Sequence, residues 1–117
     1  MLLNLSNHPS SAWSEAQREA ALSQFEEIED MPFPQIDPHA TTEDIQDLAQ
    51  QYAKRLHNRF EYSQTAVHIM GEMTFTFALV TAFKNSFECY ASTTERVSEE
   101  KDGIKTSVFR FVQFREY

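Results

Sequence analysis

The sequence predicts one α/β domain over residues 1–117, a Rossmann-like three-layer fold with a mostly parallel sheet of about five strands. Three observations lead to this prediction. Apolar segments of strand length alternate with segments of helical periodicity, and the length of 117 residues suits about one domain. The last two apolar segments flank a turn signal, Asp102-Gly103, which is typical of a hairpin.

The first half of the chain predicts two strands and two helices. Residues 1–5 form a short apolar strand, and turn-forming residues follow it. A capping box begins a helix over residues 14–24. Residues 27–31 fit a weak second strand, after which three prolines prevent regular structure. A second capping box, either Thr42 through Ile45 or Thr41 through Asp44, begins a helix that runs to about residue 60.

The second half predicts three strands and one helix. Residues 66–70 form a compact strand that stops at Gly71. The helix over residues 72–84 is apolar nearly all round, which predicts its burial against a sheet. Strands over residues 87–91 and 106–114 follow, joined by a polar connection. The alternation predicts parallel strands with right-handed crossovers and an antiparallel hairpin at one edge.

Charge and composition exclude several classes of function. The net charge is −8, and residues 1–65 hold eleven acidic and four basic residues. We therefore expect no binding to duplex DNA, which requires a basic surface. No apolar run approaches the roughly 20 residues of a membrane span, and the amino terminus lacks a basic leader. The single Cys89 allows no intrachain disulfide, so we expect a cytoplasmic protein with no membrane partner.

In open sheets of this kind, ligands bind beyond the carboxyl ends of the strands, where the strand order reverses. This rule indicates three polar loops, at residues 6–11, 71–74 and 92–96. In the third loop, hydroxyls and a guanidinium can hold phosphate oxygens. A solvated hairpin entry explains the same residues without a function. The candidates in that loop are Ser92, Thr93, Thr94 and Arg96.

The other two loops contribute weaker candidates. Gly71 permits a close backbone approach, and the helix amides near Glu72 and Thr74 could hold an anion. Glu72 fits a helix-stabilising charge better than a general base. The first loop offers hydrogen bonds and a titratable imidazole, although a turn alone would also use such residues. Its candidates are Asn7, His8, Ser10 and Ser11.

Histidine and arginine elsewhere predict structure rather than chemistry. The four histidines share no metal-ligand spacing, so we expect no metal and no other cofactor. His68 lies inside a strand and fits a satisfied core residue. Arg110 and Arg115 lie on the last strand, whose two faces both carry apolar groups. This pattern favours a covered sheet or a dimer contact over a ligand site.

The chain resembles small CRISPR-associated proteins with a CARF-type Rossmann-like domain, the stand-alone group that includes ring nucleases. The resemblance spans the chain, and three kinds of segment carry it: the first strand with its turn, the Gly-Glu turn, and the last two strands. These segments are Leu2-Leu3-Asn4-Leu5-Ser6-Asn7-His8-Pro9, Gly71-Glu72, Ser92-Thr93-Thr94-Glu95-Arg96 and Ser107-Val108-Phe109-Arg110-Phe111-Val112-Gln113-Phe114-Arg115-Glu116-Tyr117.

The resemblance implies a homodimer that binds cyclic oligoadenylate, a small cyclic RNA messenger, and a ring nuclease that cleaves it. In that chemistry the ribose 2′-hydroxyl attacks the adjacent phosphate without a metal, and the protein orients the groups and stabilises charge. Thr93, Thr94 and Arg96 would be the catalytic residues. The chain also fits a sensor or sponge that binds without cleavage, or an acidic module for a basic protein partner. A phosphate enzyme with Glu72 as its base is a further alternative.

Overall fold

A computed structural model describes residues 1–117 and confirms the predicted order of elements. The helices are α1 (Glu15–Phe25), α2 (Thr42–Arg59) and α3 (Met73–Phe83). The strands are β1 (Leu2–Ser6), β2 (Ile28–Asp30), β3 (Ala66–Met70), β4 (Glu88–Lys101) and β5 (Ile104–Glu116).

The five strands form one sheet in the order β2-β1-β3-β4-β5. Strands β1 to β4 are parallel, and β5 pairs with β4 in the antiparallel direction at one edge. The predicted fold class, an α/β Rossmann-like fold with an antiparallel edge hairpin, is thereby confirmed. Because the chain moves outward in opposite directions from β1 and β3, the topological switch point lies between these two strands.

Side-chain caps begin α1 and α2 where the sequence predicts them. The Ser14 hydroxyl accepts a hydrogen bond from the Gln17 amide at 3.2 Å. At α2, Thr41 and Asp44 form a complete capping box, in which each side chain accepts from the backbone amide of the other residue. Each such cap satisfies amides that the first helical turn leaves without a partner.

The sheet is covered on both faces, and the larger core lies on the side of α2 and α3. Alternation along β1 sends Leu3 and Leu5 into this core and Leu2 into the smaller one beside α1. The larger core is built around the following buried residues: Leu3, Leu5, Ile45, Ala49, Tyr52, Ala53, Leu56, Val67, Ile69, Phe75, Leu79, Val80, Phe83, Phe87 and Cys89.

Helix α3 is less buried than its composition predicts. Its inner side places Phe75, Leu79 and Phe83 in the core, but Met73 is 84% exposed and Phe77 is 75% exposed. The predicted burial against the sheet therefore holds for one side of the helix, and these two residues lie outside it. Only one side of α3 meets the sheet, and α2 packs beside the helix without covering its outer surface.

The hairpin is much longer than predicted. The segment 92–96 is not a loop but part of β4, and the only residues between the strands are Asp102 and Gly103. Both adopt positive φ, 56° and 78°, as a tight two-residue hairpin turn requires. Strand β3 pairs with β4 only as far as Tyr90, so the hairpin continues beyond the body of the sheet.

We call residues 94–110 the hairpin arm. All of them are exposed except Val97, which is half-buried. The radius of gyration is 15.9 Å, compared with about 13 Å for a compact domain of this length. The molecule measures 52 × 37 × 21 Å, so the arm gives it an elongated shape.

A β-bulge between Thr93 and Thr94 divides the hairpin into two parts. Thr93 pairs with Gln113, whereas Thr94 pairs with Phe111, so Val112 is the extra residue. The bulge turns Phe111 and Phe114 towards the same side, where their ring centroids lie 5.0 Å apart. Side chains therefore do not alternate strictly between the two faces of the strand through residues 108–115.

None of the three α-helices combines the length and the apolar composition that a membrane crossing requires.

Candidate functional site

A pocket of about 560 Å³ lies at the carboxyl ends of β1 and β3, beside the part of β4 that follows its pairing with β3. We call it the switch-point pocket, because β1 and β3 flank the point where the strand order reverses. Its lining is polar and aromatic and contains no Lys, Arg, Asp or Glu. The lining residues are Ser6, Asn7, His8, Ala12, Trp13, Ser14, Gln17, His68, Met70, Gly71, Ser92, Thr94, Phe109 and Phe111.

Two larger hollows lie elsewhere. A groove of about 770 Å³ runs between α2 and α3, where Met73 and Phe77 form part of its wall. A third hollow, of about 690 Å³, lies near Met1 and Ala66, at the amino ends of β1 and β3. Ligands of doubly wound sheets bind at the carboxyl ends of the strands, so position rather than volume favours the switch-point pocket.

The first loop contributes Asn7 and His8 to the pocket, and a hydrogen bond from the Asn7 amide to the Met70 carbonyl fixes the loop against β3. Ser10 points to Asp30 on β2 instead, with its hydroxyl 2.6 Å and its amide 2.9 Å from that carboxylate. Ser11 lies exposed in the short 3₁₀ turn and does not line the pocket.

The Asp30 carboxylate holds this loop in place, because it accepts hydrogen bonds from the Ser10 amide and hydroxyl. Burial acts to raise the pKa of Asp30, but hydrogen bonds from Ser10 and Asn4 outweigh it and hold the pKa below its usual value. The ionised form is therefore part of the folded loop.

Gly71 is required by packing. A Cβ atom at this position would overlap the ring of Phe33, which lies directly against the Gly71 backbone. Phe33 in turn makes an edge-to-face contact with Phe75 at 5.3 Å between ring centroids. The glycine thus lets the loop after β2 close over the turn after β3, which forms part of the pocket.

Glu72 caps α3 with its own side chain. Its carboxylate accepts a hydrogen bond from the Phe75 amide at 2.8 Å and bonds with the Thr74 hydroxyl. The Phe75 amide is the main cause that holds the pKa of Glu72 below its usual value. The position that an external anion would take at this helix is thus filled by the chain itself. Thr74 faces the groove between α2 and α3.

The four candidates on β4 divide between its two faces. Ser92 and Thr94 line the pocket, and the Ser92 hydroxyl lies 2.9 Å from the Met70 sulfur. Thr93 lies on the opposite face, because successive strand residues alternate, and its hydroxyl donates to the Gln113 carbonyl. Arg96 follows Thr94 on the pocket side of the arm, where its guanidinium donates to the Ser107 hydroxyl.

The structure adds to the pocket an aromatic wall and His68, which the sequence predicts as a core residue and not as part of a site. Phe109 and Phe111 enter the pocket from β5, and Trp13 enters from the loop before α1. His68 is only 2% exposed, and the Trp13 ring packs edge-to-face on its imidazole at 5.2 Å. Burial lowers the pKa of His68 to about 4, so the ring is neutral near pH 7.

The prediction that His68 is a fully satisfied core residue is wrong at one atom. Its Nδ1 lies 2.9 Å from the Asn4 side-chain oxygen, but Nε2 has no hydrogen-bond partner in the chain. His68 therefore combines a structural contact on one side of its ring with an unused nitrogen on the other.

The residues do not group as metal ligands do: no three His, Cys, Asp or Glu side chains are placed to hold one ion. Neither the curated proteins nor the solved structures contain a match to the chain. The family model described as the uncharacterized protein MJ1673 family matches residues 1–115. Because this match covers nearly the whole sequence, the chain belongs to the MJ1673 family.

Proposed function

We propose that the protein binds cyclic oligoadenylate in the switch-point pocket and acts as a ring nuclease on it. The observation that carries the proposal is that the first loop, the Gly71 turn and the polar face of β4 meet at one pocket with an aromatic wall. The resemblance of the sequence to CARF-type CRISPR-associated proteins supplies the identity of the ligand.

The lining chemistry supports a nucleoside. Trp13, Phe109 and Phe111 offer rings on which a base can stack, a contact worth about 1–3 kcal/mol per base. The neutral groups around them, such as Asn7 and Ser92, can hydrogen-bond a base or a ribose without repelling phosphate.

The hairpin arm supplies a cation for phosphate, namely Arg96. Its four acidic and four basic residues balance, although the whole chain carries −8. Arg96 stands on the pocket side of the arm, two residues beyond Thr94, and its guanidinium can form paired hydrogen bonds to phosphate oxygens. We therefore assign phosphate contact to Arg96 and ribose contact to Thr94. Thr93, on the other face, receives no ligand contact in this proposal.

The cleavage step is a transesterification. The ribose 2′-oxygen attacks the adjacent phosphorus as its bond to the 5′-oxygen breaks. The products are a 2′,3′-cyclic phosphate and a free 5′-hydroxyl, and the proton lost by the 2′-oxygen is balanced by the proton that the 5′-oxygen gains. Arg96 would stabilise the charge on the phosphate, and the aromatic wall would hold the base so that attack is in line.

Incubation with cyclic tetra- and hexaadenylate in the presence of EDTA tests this proposal. We expect tight binding by calorimetry to one of the rings and a linear product by chromatography. Thr94→Ala and Arg96→Ala should each weaken binding about tenfold or more, because each removes a side-chain group that hydrogen-bonds the ligand.

Thr42→Ala and Arg55→Ala are the matched controls, since both residues are exposed on α2, away from the pocket and from the hairpin arm. They should bind as the wild type does. Binding without a linear product would indicate that the protein is a sensor or sponge and not a nuclease. Absence of binding to both rings would end it.

A homodimer is part of the same proposal, with the hairpin arm as its surface. A two-stranded hairpin alone is at best marginally stable in water, yet the arm has no core beneath it. Its face away from the pocket carries an apolar stripe of Val97, Val108 and Ile104, the last 65% exposed. A second copy related by a two-fold axis can cover this stripe with its own arm, which is how symmetric dimers pair identical patches.

Replacing Ile104 and Val108 together by serine should convert the dimer into a monomer, as measured by sedimentation or light scattering. The control is Phe77→Ser, which removes from α3 an apolar side chain that is 75% exposed. A monomeric wild type, or loss of the dimer in Phe77→Ser alone, would contradict the arm as the dimer surface.

One observation favours a second candidate, a module that binds a basic protein partner. Met73 and Phe77 stand exposed beside the α2–α3 groove, and Asp47 lines the same groove. Arg96→Ala separates the two functions, because it should weaken nucleotide binding about tenfold or more and leave capture of a protein partner intact. For either function we propose a cytoplasmic location.

A further inference from the structure

The tautomer of His68 is fixed by a buried polar network beneath the switch-point pocket. The Asn4 side-chain nitrogen donates to the His8 carbonyl at 2.9 Å and to the Asp30 carboxylate at 2.8 Å. Both partners can only accept at these atoms, so the Asn4 oxygen is the atom that faces His68. An amide oxygen only accepts, and His68 Nδ1 must therefore carry the hydrogen.

A neutral imidazole with a hydrogen on Nδ1 has a lone pair on Nε2 and acts there as an acceptor. Near pH 7 burial keeps the ring neutral, so Nε2 has no hydrogen of its own. A buried acceptor without a donor costs about 1–3 kcal/mol. The chain supplies no donor to Nε2, although it satisfies every other polar atom of His68 and the Asn4 side chain.

His68 lines the switch-point pocket, so a group bound there can supply the donor. We propose that His68 is a ligand-binding residue whose Nε2 accepts a hydrogen bond from an amino or hydroxyl group of the bound nucleoside. The nucleoside class rests on the proposed function, whereas the acceptor role of Nε2 rests on the buried network alone. Trp13, which packs against the imidazole, would stack beside the same group and exclude water from the bond.

This role makes His68 a determinant of specificity. Stacking on Trp13, Phe109 or Phe111 accepts any base, because every base has a π face. A buried acceptor discriminates strongly, since a ligand without the matching donor leaves Nε2 unpaired.

Nitrogen-15 NMR of the histidine side chains tests the proposal directly. We expect the free protein to show His68 with its hydrogen on Nδ1, and the Nε2 resonance to shift on addition of cyclic tetraadenylate, cyclic hexaadenylate or adenosine. Two further probes identify the donor. Purine riboside lacks the amino group and loses the shift if that group is the donor, whereas 2′-deoxyadenosine loses it if the donor is the 2′-hydroxyl. His57 on α2, whose Nδ1 contacts the Tyr62 hydroxyl, is the internal control and should not respond.

A hydrogen on Nε2 in the free protein, or an Nε2 resonance that no probe shifts, would overturn the proposal. The two proposals fail separately. If adenosine shifts Nε2 while neither ring binds, the ring nuclease is wrong and the His68 role stands.

His68→Asn supplies the matching variant. Its amide nitrogen can replace Nδ1 as the donor to Asn4, but nothing in it replaces Nε2. We expect about a tenfold or greater loss of affinity for each probe that the wild type binds. His57→Asn is the control, with unchanged affinity. Equal affinity of His68→Asn and wild type would refute the role even if the rings bind, and the NMR result decides the matter should the variant fold poorly.

Discussion

Replacing Asn4 by leucine is expected to destabilise the protein by about 3–5 kcal/mol, as the loss of a buried polar network does. Asn4 is 1% exposed, and its amide connects β1 to Asp30 on β2 and to His68 on β3. Leucine has the same branched shape and the same number of heavy atoms but satisfies none of these groups. It leaves the buried His68 Nδ1–H without an acceptor and removes one hydrogen bond from the His8 carbonyl.

Urea denaturation of wild type and variant measures this effect. Asn58→Leu is the matched control, because Asn58 is exposed on α2. The free energy of unfolding of this variant should lie within about 0.5 kcal/mol of the wild-type value. A free energy of unfolding for Asn4→Leu within about 1 kcal/mol of the wild-type value would show that the network contributes little to the stability of the fold.

The second large effect concerns pH. In the folded protein the pKa of His68 is about 4 because of burial, compared with 6.5 in the unfolded chain. The unfolded state therefore binds a proton at a higher pH than the folded state does, and stability falls as the pH decreases from 6.5 to 4. The expected loss is about 3 kcal/mol, from about 1.4 kcal/mol per pKa unit.

The Asp30 carboxylate, whose pKa is also depressed, adds to the acid loss only below its unfolded value of 3.8. The two contributions thus occupy different pH ranges. Denaturation curves at pH 7, 5.5 and 4 should show the loss in wild type and a much smaller one in His68→Asn. The same slope in both proteins would assign the effect to other groups.

The sequence predicted the element order because each element carries a local signal. Helix caps at Ser14 and Thr41, and the stop at Gly71, mark boundaries that the structure reproduces within about two residues. Such signals depend on contacts between near neighbours, which can be read from a few consecutive residues.

The sequence pattern does not predict the full length of the hairpin, because the residues that β4 contributes to it are polar. Segment 92–96 looks like a loop by composition, yet the Asp102-Gly103 turn contained the information needed. Pairing outward from a two-residue turn places Arg96 opposite Phe109, as the structure has it. The bulge at Thr93 and Thr94, by contrast, has no local signal, and it decides which aromatic rings face the pocket.

The candidate site was predicted in position but only partly in content. The switch-point rule placed Asn7, Gly71 and Ser92 at one pocket, because it needs only the strand ends. His68 and Trp13 could not be found in this way. The free atom of His68 appears only when Asn4, 64 residues away in the sequence, is seen to occupy the other nitrogen.

Trp13 fluorescence is the most direct test of ligand binding at the switch-point pocket. Trp13 is the only tryptophan of the chain, and it lines this pocket rather than either of the two larger hollows. Titration with cyclic tetra- or hexaadenylate should change its emission saturably, with the affinity that calorimetry gives. Binding detected by calorimetry with unchanged Trp13 emission, or no binding at all, would contradict the account.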